Sequence, residues 1–274
     1  RVTTNEHMDV LPQWSPDGAK IAFTSWQGDH KHVWVVDEDG TNLERVTSGP
    51  AGTENGLATW SPDGTKIAFV SNRGGGYDVY MMDAAGENGR SGNVERITDE
   101  QAPDHWLWPD WSPLLSQTPE PVQALACPME DTAILFSSSS GGADHHIVKV
   151  DSDCGTPHQR LTDYPSGHMD WSPDGTKVAY TRGLGNNFEI FVMDADGSNQ
   201  TRMTYNDSHD AQPTWSPDGR YIAFESSRIG SSATWDLHVM RVDYPNNEEN
   251  EYPPSALTRG DAGRNWAPEW SPDG

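Results

Sequence analysis

The chain has 274 residues, of which 34% are hydrophobic, and it contains 26 Gly, 20 Pro and 12 Trp. This mixture argues against a helical bundle and suits many short strands joined by tight turns. The formal net charge of −24 argues against nucleic acid and anionic membrane as partners. No apolar run reaches the roughly 18 residues of a membrane-spanning helix, so we expect no membrane insertion.

A Trp-Ser-Pro motif recurs along the chain and divides it into similar units. Asp-Gly follows in every copy but the third, which has Leu114-Leu115 instead. Self-similarity at a period of about 45 residues is typical of repeat architectures. The units begin near Trp14, Trp60, Trp111, Trp171 and Trp215, with a partial unit at Trp270.

Each unit predicts four strands in the same order. A short strand ends at the Trp, and Ser-Pro-Asp-Gly then makes a tight turn, because Pro presets φ and Gly can take φ > 0. An apolar strand such as 20–23 follows, then a strand that ends in Asp such as 33–37, then a short strand such as 45–47. Four antiparallel strands at this period form a propeller blade. We therefore predict one all-β domain, 1–274, with each motif Trp packed between neighbouring blades.

These units closely resemble the PD40 repeat, also called the TolB-like or WD40-like propeller repeat, and residues 171–199 carry nearly all of its pattern. The resemblance covers the whole chain and implies the β-propeller fold. It leaves the function open. The family includes periplasmic TolB, which contacts partner proteins, and the propellers of prolyl-oligopeptidase-like peptidases. It also includes oligogalacturonate lyases, which use a metal held by histidines in the channel.

The phase of the repeats raises the question of how the ring closes. Residues 1–3 match the fourth strand of a blade, and the sixth Trp-Ser-Pro-Asp-Gly stands at 270–274. We expect five complete repeats plus a split or incomplete sixth blade. The chain is then a fragment of a longer protein, or a neighbouring molecule supplies the missing strands by self-association, or the ring closes with five blades.

Carboxylates and histidines gather just before each motif Trp, in the segment predicted to be the innermost strand. We expect them to crowd the central channel or one of its mouths. Oxygen ligands favour calcium, a His-rich subset favours a transition metal, and an acidic channel without a specific ion is the third alternative. The metal candidates are Asp9, Asp110, Asp170, Asp210 and Glu269, and the channel histidines are His7, His105, His168 and His209.

The chain has two cysteines. Cys127 lies in the long insertion 114–130, and Cys154 lies in the turn between the third and fourth strands of the same unit. Both loops emerge on the same face of an up-and-down blade, so we expect a disulfide, which suits a periplasmic or secreted protein. Two free buried thiols are the alternative.

Catalytic sequence motifs are missing, since the chain has no Gly-x-Ser-x-Gly and no His-Glu-x-x-His. The leading hypothesis is a non-catalytic, extracytoplasmic propeller that binds a protein partner or itself, with calcium as a stabilising ion. The alternatives are a metal-dependent polysaccharide lyase-like enzyme that uses the channel, and the detached propeller of a prolyl-oligopeptidase-like peptidase.

Overall fold

All the regular elements in the described part of the chain are β-strands, and they form five four-stranded antiparallel sheets. In this computed structural model, the described residues are 3, 6–27, 30–84, 92–98, 108–113, 132–138, 145–151, 158–228, 235–243, 254–258 and 267–274. Each sheet is one blade, and consecutive strands are neighbours within it. The predicted all-β propeller of four-stranded blades is confirmed.

The strands run from the innermost to the outermost position within each blade. They are, for blade 1, β1 (Met8–Trp14), β2 (Lys20–Gln27), β3 (His30–Asp37) and β4 (Glu44–Arg45); for blade 2, β5 (Asn55–Trp60), β6 (Lys66–Ser71), β7 (Asp78–Asp83) and β8 (Gly92–Arg96); for blade 3, β9 (Asp110–Trp111), β10 (Ala133–Ser138), β11 (His146–Asp151) and β12 (Gln159–Arg160); for blade 4, β13 (Ser166–Trp171), β14 (Lys177–Leu184), β15 (Asn187–Asp194) and β16 (Thr201–Arg202); and for blade 5, β17 (Asp210–Trp215), β18 (Tyr221–Ser226), β19 (Asp236–Arg241) and β20 (Ser255–Ala256).

The Ser-Pro-Asp-Gly turn is held by its own side chains. After β1, Ser15 Oγ donates to Asp17 Oδ1 at 2.6 Å, and the backbone N–H of Ala19 donates to the same oxygen at 3.1 Å. Gly18 has φ +71°, which a side chain would strain. The Ser-to-Asp bond recurs in the turns that follow β5, β13 and β17. The motif therefore encodes a turn, and its Asp accepts hydrogen bonds within that turn.

A Thr that follows the fourth strand in every blade explains why that strand can be so short. In blade 1 the N–H of Val33, on β3, donates to Thr47 Oγ1 at 2.9 Å, and Val46 donates its own N–H back to the Val33 carbonyl at 3.0 Å. The hydroxyl thus replaces a backbone acceptor of the ladder. The corresponding acceptors in the other four blades are Thr98, Thr162, Thr204 and Thr258.

The core lies between the blades, where the motif Trp of each of blades 2 to 5 packs on the preceding blade. Trp171 of blade 4 is 6% exposed and belongs to one apolar cluster with Leu135 and Ile147 of blade 3. Trp60 of blade 2 packs with Val33 of blade 1 and donates its indole N–H to the Gln13 carbonyl at 3.2 Å. The predicted role of the motif Trp between blades is confirmed.

The segment 267–274 lies between blade 5 and blade 1. Trp270 donates its indole N–H to the Thr214 carbonyl of blade 5 at 3.3 Å, the same bond that joins Trp60 to blade 1. On the other side, Gln13 Nε2 of blade 1 donates to Glu269 Oε2 at 3.1 Å. The segment thus takes the place of an innermost strand between these blades. The described residues contain no sixth four-stranded blade, so the predicted split blade is not shown.

Candidate functional site: the channel and the loop face

Six tripeptides line the central channel, and each ends at the residue before a motif Trp. They come from all five blades and from the segment 267–274, so the channel wall is built from equivalent positions of the repeat. The tripeptides are 11–13, 57–59, 108–110, 168–170, 212–214 and 267–269.

The first residue of most tripeptides adopts a left-handed backbone. Such φ values are uncommon for residues other than glycine and are strained for branched side chains. In the four described cases within blades, the pairing of the first and second strands shifts register at this point, which is the mark of a β-bulge. The left-handed residues, with φ between 43° and 56°, are Leu11, Leu57, His168, Gln212 and Ala267.

These first residues form the mouth of the channel, and the mouth has two unlike halves. Leu11, Leu57 and Trp108 make one half apolar, whereas His168 and Gln212 lie on the other. The sequence interpretation missed this ring. Its signal was Pro at the second tripeptide position in four of the six motifs, because Pro inside a strand marks a sheet edge or a bulge.

The third residues place three carboxylates in the channel, and each links neighbouring parts of the ring. Asp110 Oδ2 accepts the backbone N–H of Trp171 at 3.0 Å, and Asp170 Oδ2 accepts that of Trp215 at 2.5 Å. Glu269 accepts the Gln13 amide. The side chains of Asp110, Asp170 and Glu269 are therefore engaged across the junctions between blades.

The same carboxylates have raised pKa values. Burial within the channel wall raises the pKa of Asp110 well above its ordinary value and raises the pKa of Glu269 to about 8. Repulsion from Asp170 is the second cause in both cases. Enclosure raises the pKa of Asp170 to about 6, against the hydrogen bonds from Trp215 and Thr214. The described residues that line the channel include no Lys or Arg, so no basic side chain among them stabilises the ionised form of these carboxyl groups.

The other two metal candidates do not line the channel. Asp210, at the start of β17, is buried and bonds Arg228 at 2.6 Å and Ser226 Oγ at 2.5 Å within its own blade. Asp9 occupies the equivalent position on β1, opposite Ser25. In the described part of the chain, no three His, Cys, Asp or Glu side chains are grouped so that they could hold a metal ion. Calcium therefore stays a prediction.

The predicted channel histidines are dispersed. His168 lies at the mouth, edge-on to Trp108 with ring centroids 4.5 Å apart. Burial is the main cause that lowers the pKa of His168 to about 4, and the nearby His145 lowers it further. His209 lies between the rings of Phe188 and Trp235. His7 is exposed beside the start of β1. His105, Cys127 and Cys154 lie outside the described residues, so the disulfide stays a prediction.

The two faces of the propeller carry different side chains. The turn face holds the Ser-Pro-Asp-Gly turns and the turns after the third strands. The loop face holds the connections between second and third strands and those between blades. Of the seven large hydrophobic side chains that are exposed in the described residues, only Leu43 follows a turn of the turn face. The other six, which belong to the loop face, are Met8, Trp26, Tyr164, Phe188, Tyr205 and Leu257.

An apolar groove opens on the loop face between blades 1 and 2. We call this the blade 1–2 groove, and its apolar lining is Val10, Leu11, Trp26, Leu57, Val70, Tyr77 and Trp108. Lys31 and Glu54 form part of its rim. Lys31 Nζ lies 4.5 Å from the Trp26 ring centroid and 3.5 Å from Glu54 Oε2, which also accepts the Tyr77 hydroxyl at 2.7 Å.

Sequence comparisons place the chain among propeller proteins. The PD40 profile, described as the TolB beta propeller domain, matches residues 1–116 and 162–274. An uncharacterized protein of Agrobacterium fabrum is 38% identical over 93 residues, which are 34% of this chain and 32% of that protein. The uncharacterized peptidase YuxL of Bacillus subtilis is 28% identical over 110 residues, 38% of this chain and 15% of the peptidase. The matches thus span less than a third of these relatives.

Solved structures agree on the fold. A TolB-like protein from Agrobacterium tumefaciens superposes with a TM-score of 0.70 at 22% identity, covering 100% of this chain and 89% of that one. An oligogalacturonate lyase in complex with manganese gives a TM-score of 0.60 at 15% identity, covering 95% of this chain and 82% of the lyase. At such identities the likeness concerns the fold alone. No helix within the described residues is long and apolar enough to cross a membrane.

Proposed function

The chain belongs to the PD40 family of TolB beta propeller domains, and we propose that it is a non-catalytic propeller that binds a protein partner through its loop face. The observation that carries this proposal is the collection of exposed apolar side chains on that face. Trp26 is 40% exposed and Phe188 is 48% exposed, and both stand on strand ends that point away from the acidic turns. Apolar patches on a soluble domain mark interaction surfaces, and aromatic residues are enriched in protein interfaces.

The turn face supports the same proposal by contrast. Its aspartates are held by hydrogen bonds within their own turns or by lysines such as Lys20, which pairs with Asp37 at 2.5 Å. A partner that bound there would have to break these bonds. The loop face offers its apolar surface without that cost.

We further propose an extracytoplasmic location, in keeping with the predicted disulfide between Cys127 and Cys154. We also propose that calcium binds at the channel carboxylates and that the chain associates with itself through strand edges. Calorimetric titration with Ca²⁺ and sedimentation at two protein concentrations test them. Mass after alkylation without reductant tests the disulfide, since two alkylated thiols would exclude it.

The function is tested by capturing partners from the organism that encodes the chain, with the native protein and two single variants. Trp26→Ser alters the loop face, and Leu43→Ser is the matched control, because Leu43 is 41% exposed and Trp26 40% exposed. We expect a protein that the native chain and Leu43→Ser retain and that Trp26→Ser loses.

Three results would count against the proposal. One is a partner retained equally by all three proteins, or lost only with Leu43→Ser. Another is turnover of a polysaccharide that depends on a stoichiometric transition metal, which would favour the lyase-like alternative. The third is cleavage of peptides only when a hydrolase domain is joined to the propeller, which would favour the peptidase alternative.

A further inference from the structure

We infer that the partner segment bound at the loop face is basic: an apolar side chain of the segment fills the blade 1–2 groove, and a neighbouring Lys or Arg enters the channel mouth. This inference rests on the proposed function and names the chemistry of the partner. It rests on an apolar groove that is continuous with a channel lined by carboxyl groups.

The groove and the channel share part of their walls. Leu11, Leu57 and Trp108 line both of them, so a segment seated in the groove lies directly beside the mouth. The groove lining combines aliphatic side chains such as Val10 and Val70 with the aromatic rings of Trp26 and Tyr77. Such a site takes a bulky apolar side chain and gains the free energy of removing it from water.

The channel beyond the mouth is suited to a cation. The carboxyl groups of Asp110, Asp170 and Glu269 all line it at the same tripeptide position, and the described lining residues hold no Lys or Arg. They lie two residues further along the strand than the mouth, a depth of about 7 Å at the usual strand rise. The four-carbon stem of Lys can reach across that depth.

Three described basic side chains near the loop face are engaged in other contacts. Lys31 pairs with Glu54 and covers Trp26. Arg73 donates to the Ser48 carbonyl and to Asn55, and Arg182 stacks on Tyr164 with its guanidinium 3.8 Å from the ring centroid. None of these three lines the channel, and the described lining residues include no Lys or Arg. We therefore assign the cation to the partner.

Two further effects select a basic segment over an acidic one. Trp108 lines the mouth, and aromatic rings attract ammonium and guanidinium groups. The net charge of −24 repels acidic partners at long range, and a narrow protein-walled channel concentrates that field. An acidic or neutral segment would lose both contributions.

The test uses short synthetic peptides with the whole chain. Each acetylated and amidated peptide carries one Phe and one Lys, separated by one, two, three or four Gly or Ser residues, and binding is measured by calorimetry. We expect at least one spacing to bind, the norleucine analogue of its Lys to bind about tenfold more weakly, and the Glu analogue to bind more weakly still. Raising the salt concentration should weaken the Lys peptide and leave the norleucine peptide nearly unchanged.

Protein variants locate the peptide. Trp26→Ser should weaken the Lys and norleucine peptides by the same factor, because it removes only the groove wall. Above pH 8, where the Glu269 carboxyl is ionised, Glu269→Gln should weaken the Lys peptide and spare the norleucine peptide. The variant keeps an acceptor for Gln13. Leu43→Ser should leave every peptide unchanged. Thermal unfolding of each variant shows that it is folded.

The inference is overturned if the norleucine or Glu analogue binds as tightly as the Lys peptide, if Glu269→Gln has no effect, or if none of the four spacings binds at about 1 mM, the weak limit of specific recognition. These failures differ from failure of the proposed function. A captured partner that depends on Trp26 while the Lys preference is absent keeps the loop face as the binding surface and removes only the basic segment.

Discussion

The turn face and the loop face are built from the same repeat, yet they differ in which side chains remain exposed after the chain has folded. On the turn face the aspartates of the repeat accept hydrogen bonds within their own turns. Hydrogen bonds from Ser and from backbone N–H groups lower the pKa values of Asp17, Asp174 and Asp218. On the loop face, Trp26 and Phe188 remain exposed, and the channel mouth carries a different residue in almost every unit.

This difference separates fold from function within one sequence. Residues that recur in the units make the same bond in blade after blade, as Ser and Asp of the turn and Thr of the fourth strand do. Residues at the channel mouth vary from Leu to Trp to His at equivalent positions. Because the fold does not require one residue type there, those positions are open to select a partner.

The largest stability effect is expected from Asp210→Ala, beneath the loop face. The substitution leaves the Arg228 guanidinium, bonded to Asp210 at 2.6 Å, without its counter-charge and frees Ser226 and Asn206. Breaking a buried ion pair in this way costs about 3–5 kcal/mol. Urea unfolding measures the loss. The double variant Asp210→Ala with Arg228→Met should recover part of it, and a loss below about 1 kcal/mol would show that the pair does not hold the loop face.

A smaller effect is expected from Asp174→Ala on the turn face. Asp174 Oδ1 accepts bonds from Ser172 Oγ, from the Thr176 N–H and from Thr176 Oγ1, all at an exposed turn. Their loss should reduce the free energy of unfolding by about 1.5–3 kcal/mol, the range for hydrogen bonds to charged groups. Asp174→Asn, which keeps an acceptor, should lose less. Equal losses for Ala and Asn would contradict the proposed role of the carboxylate.

The two regions should also respond oppositely to pH. Turn-face aspartates have folded pKa values below their unfolded ones, so the stability that they contribute is present above about pH 4 and is lost as the pH falls through the lowered values. Glu269 has a folded pKa of about 8, above its unfolded value, so its favourable contribution is present below about pH 4 and is lost as the pH rises towards 8.

Glu269→Gln should therefore flatten the decline of stability between about pH 4.5 and 8 and leave the acid limb unchanged. Unfolding midpoints across this range measure both limbs. An unchanged decline in the variant would mean that Glu269 titrates near its ordinary pKa.

The smallest stability effect is expected from Phe188→Ser. Its side chain is 48% exposed, and exposed substitutions usually change stability by no more than about 0.5 kcal/mol. The same substitution should weaken partner capture, which Leu43→Ser should not. A large loss of stability would mean that Phe188 supports the fold through its contact with His209, whose ring centroid is 5.3 Å away.

The fold could be predicted because its bonds are local to the repeat. Trp-Ser-Pro-Asp-Gly places the turn, and the period of the copies gives the blades. The channel could be predicted only in part. Asp170 and Asp210 lie one and five residues before their Trp, positions that share a face of a regular strand. The bulge at the left-handed residue breaks that register, so Asp210 turns to Arg228 in its own blade.

The loop face could not be predicted for a different reason. Its apolar side chains come from the ends of unlike connections, such as Trp26 at the end of β2 and Phe188 at the start of β15. Nothing in their spacing brings them together. Only the alternation of strand directions places these ends on one side of the ring.

Site-specific photo-crosslinking distinguishes partner binding at the loop face from binding at the turn face. The photoreactive residue benzoylphenylalanine is placed at position 26 in one protein and at position 43 in another, two sites of nearly equal exposure. Both proteins are irradiated in the organism that encodes the chain, and adducts are identified by mass spectrometry. If the partner binds at the loop face, we expect one reproducible protein adduct from position 26 and none from position 43. Adducts of the same partner from position 43 alone, or in equal yield from both positions, would contradict it.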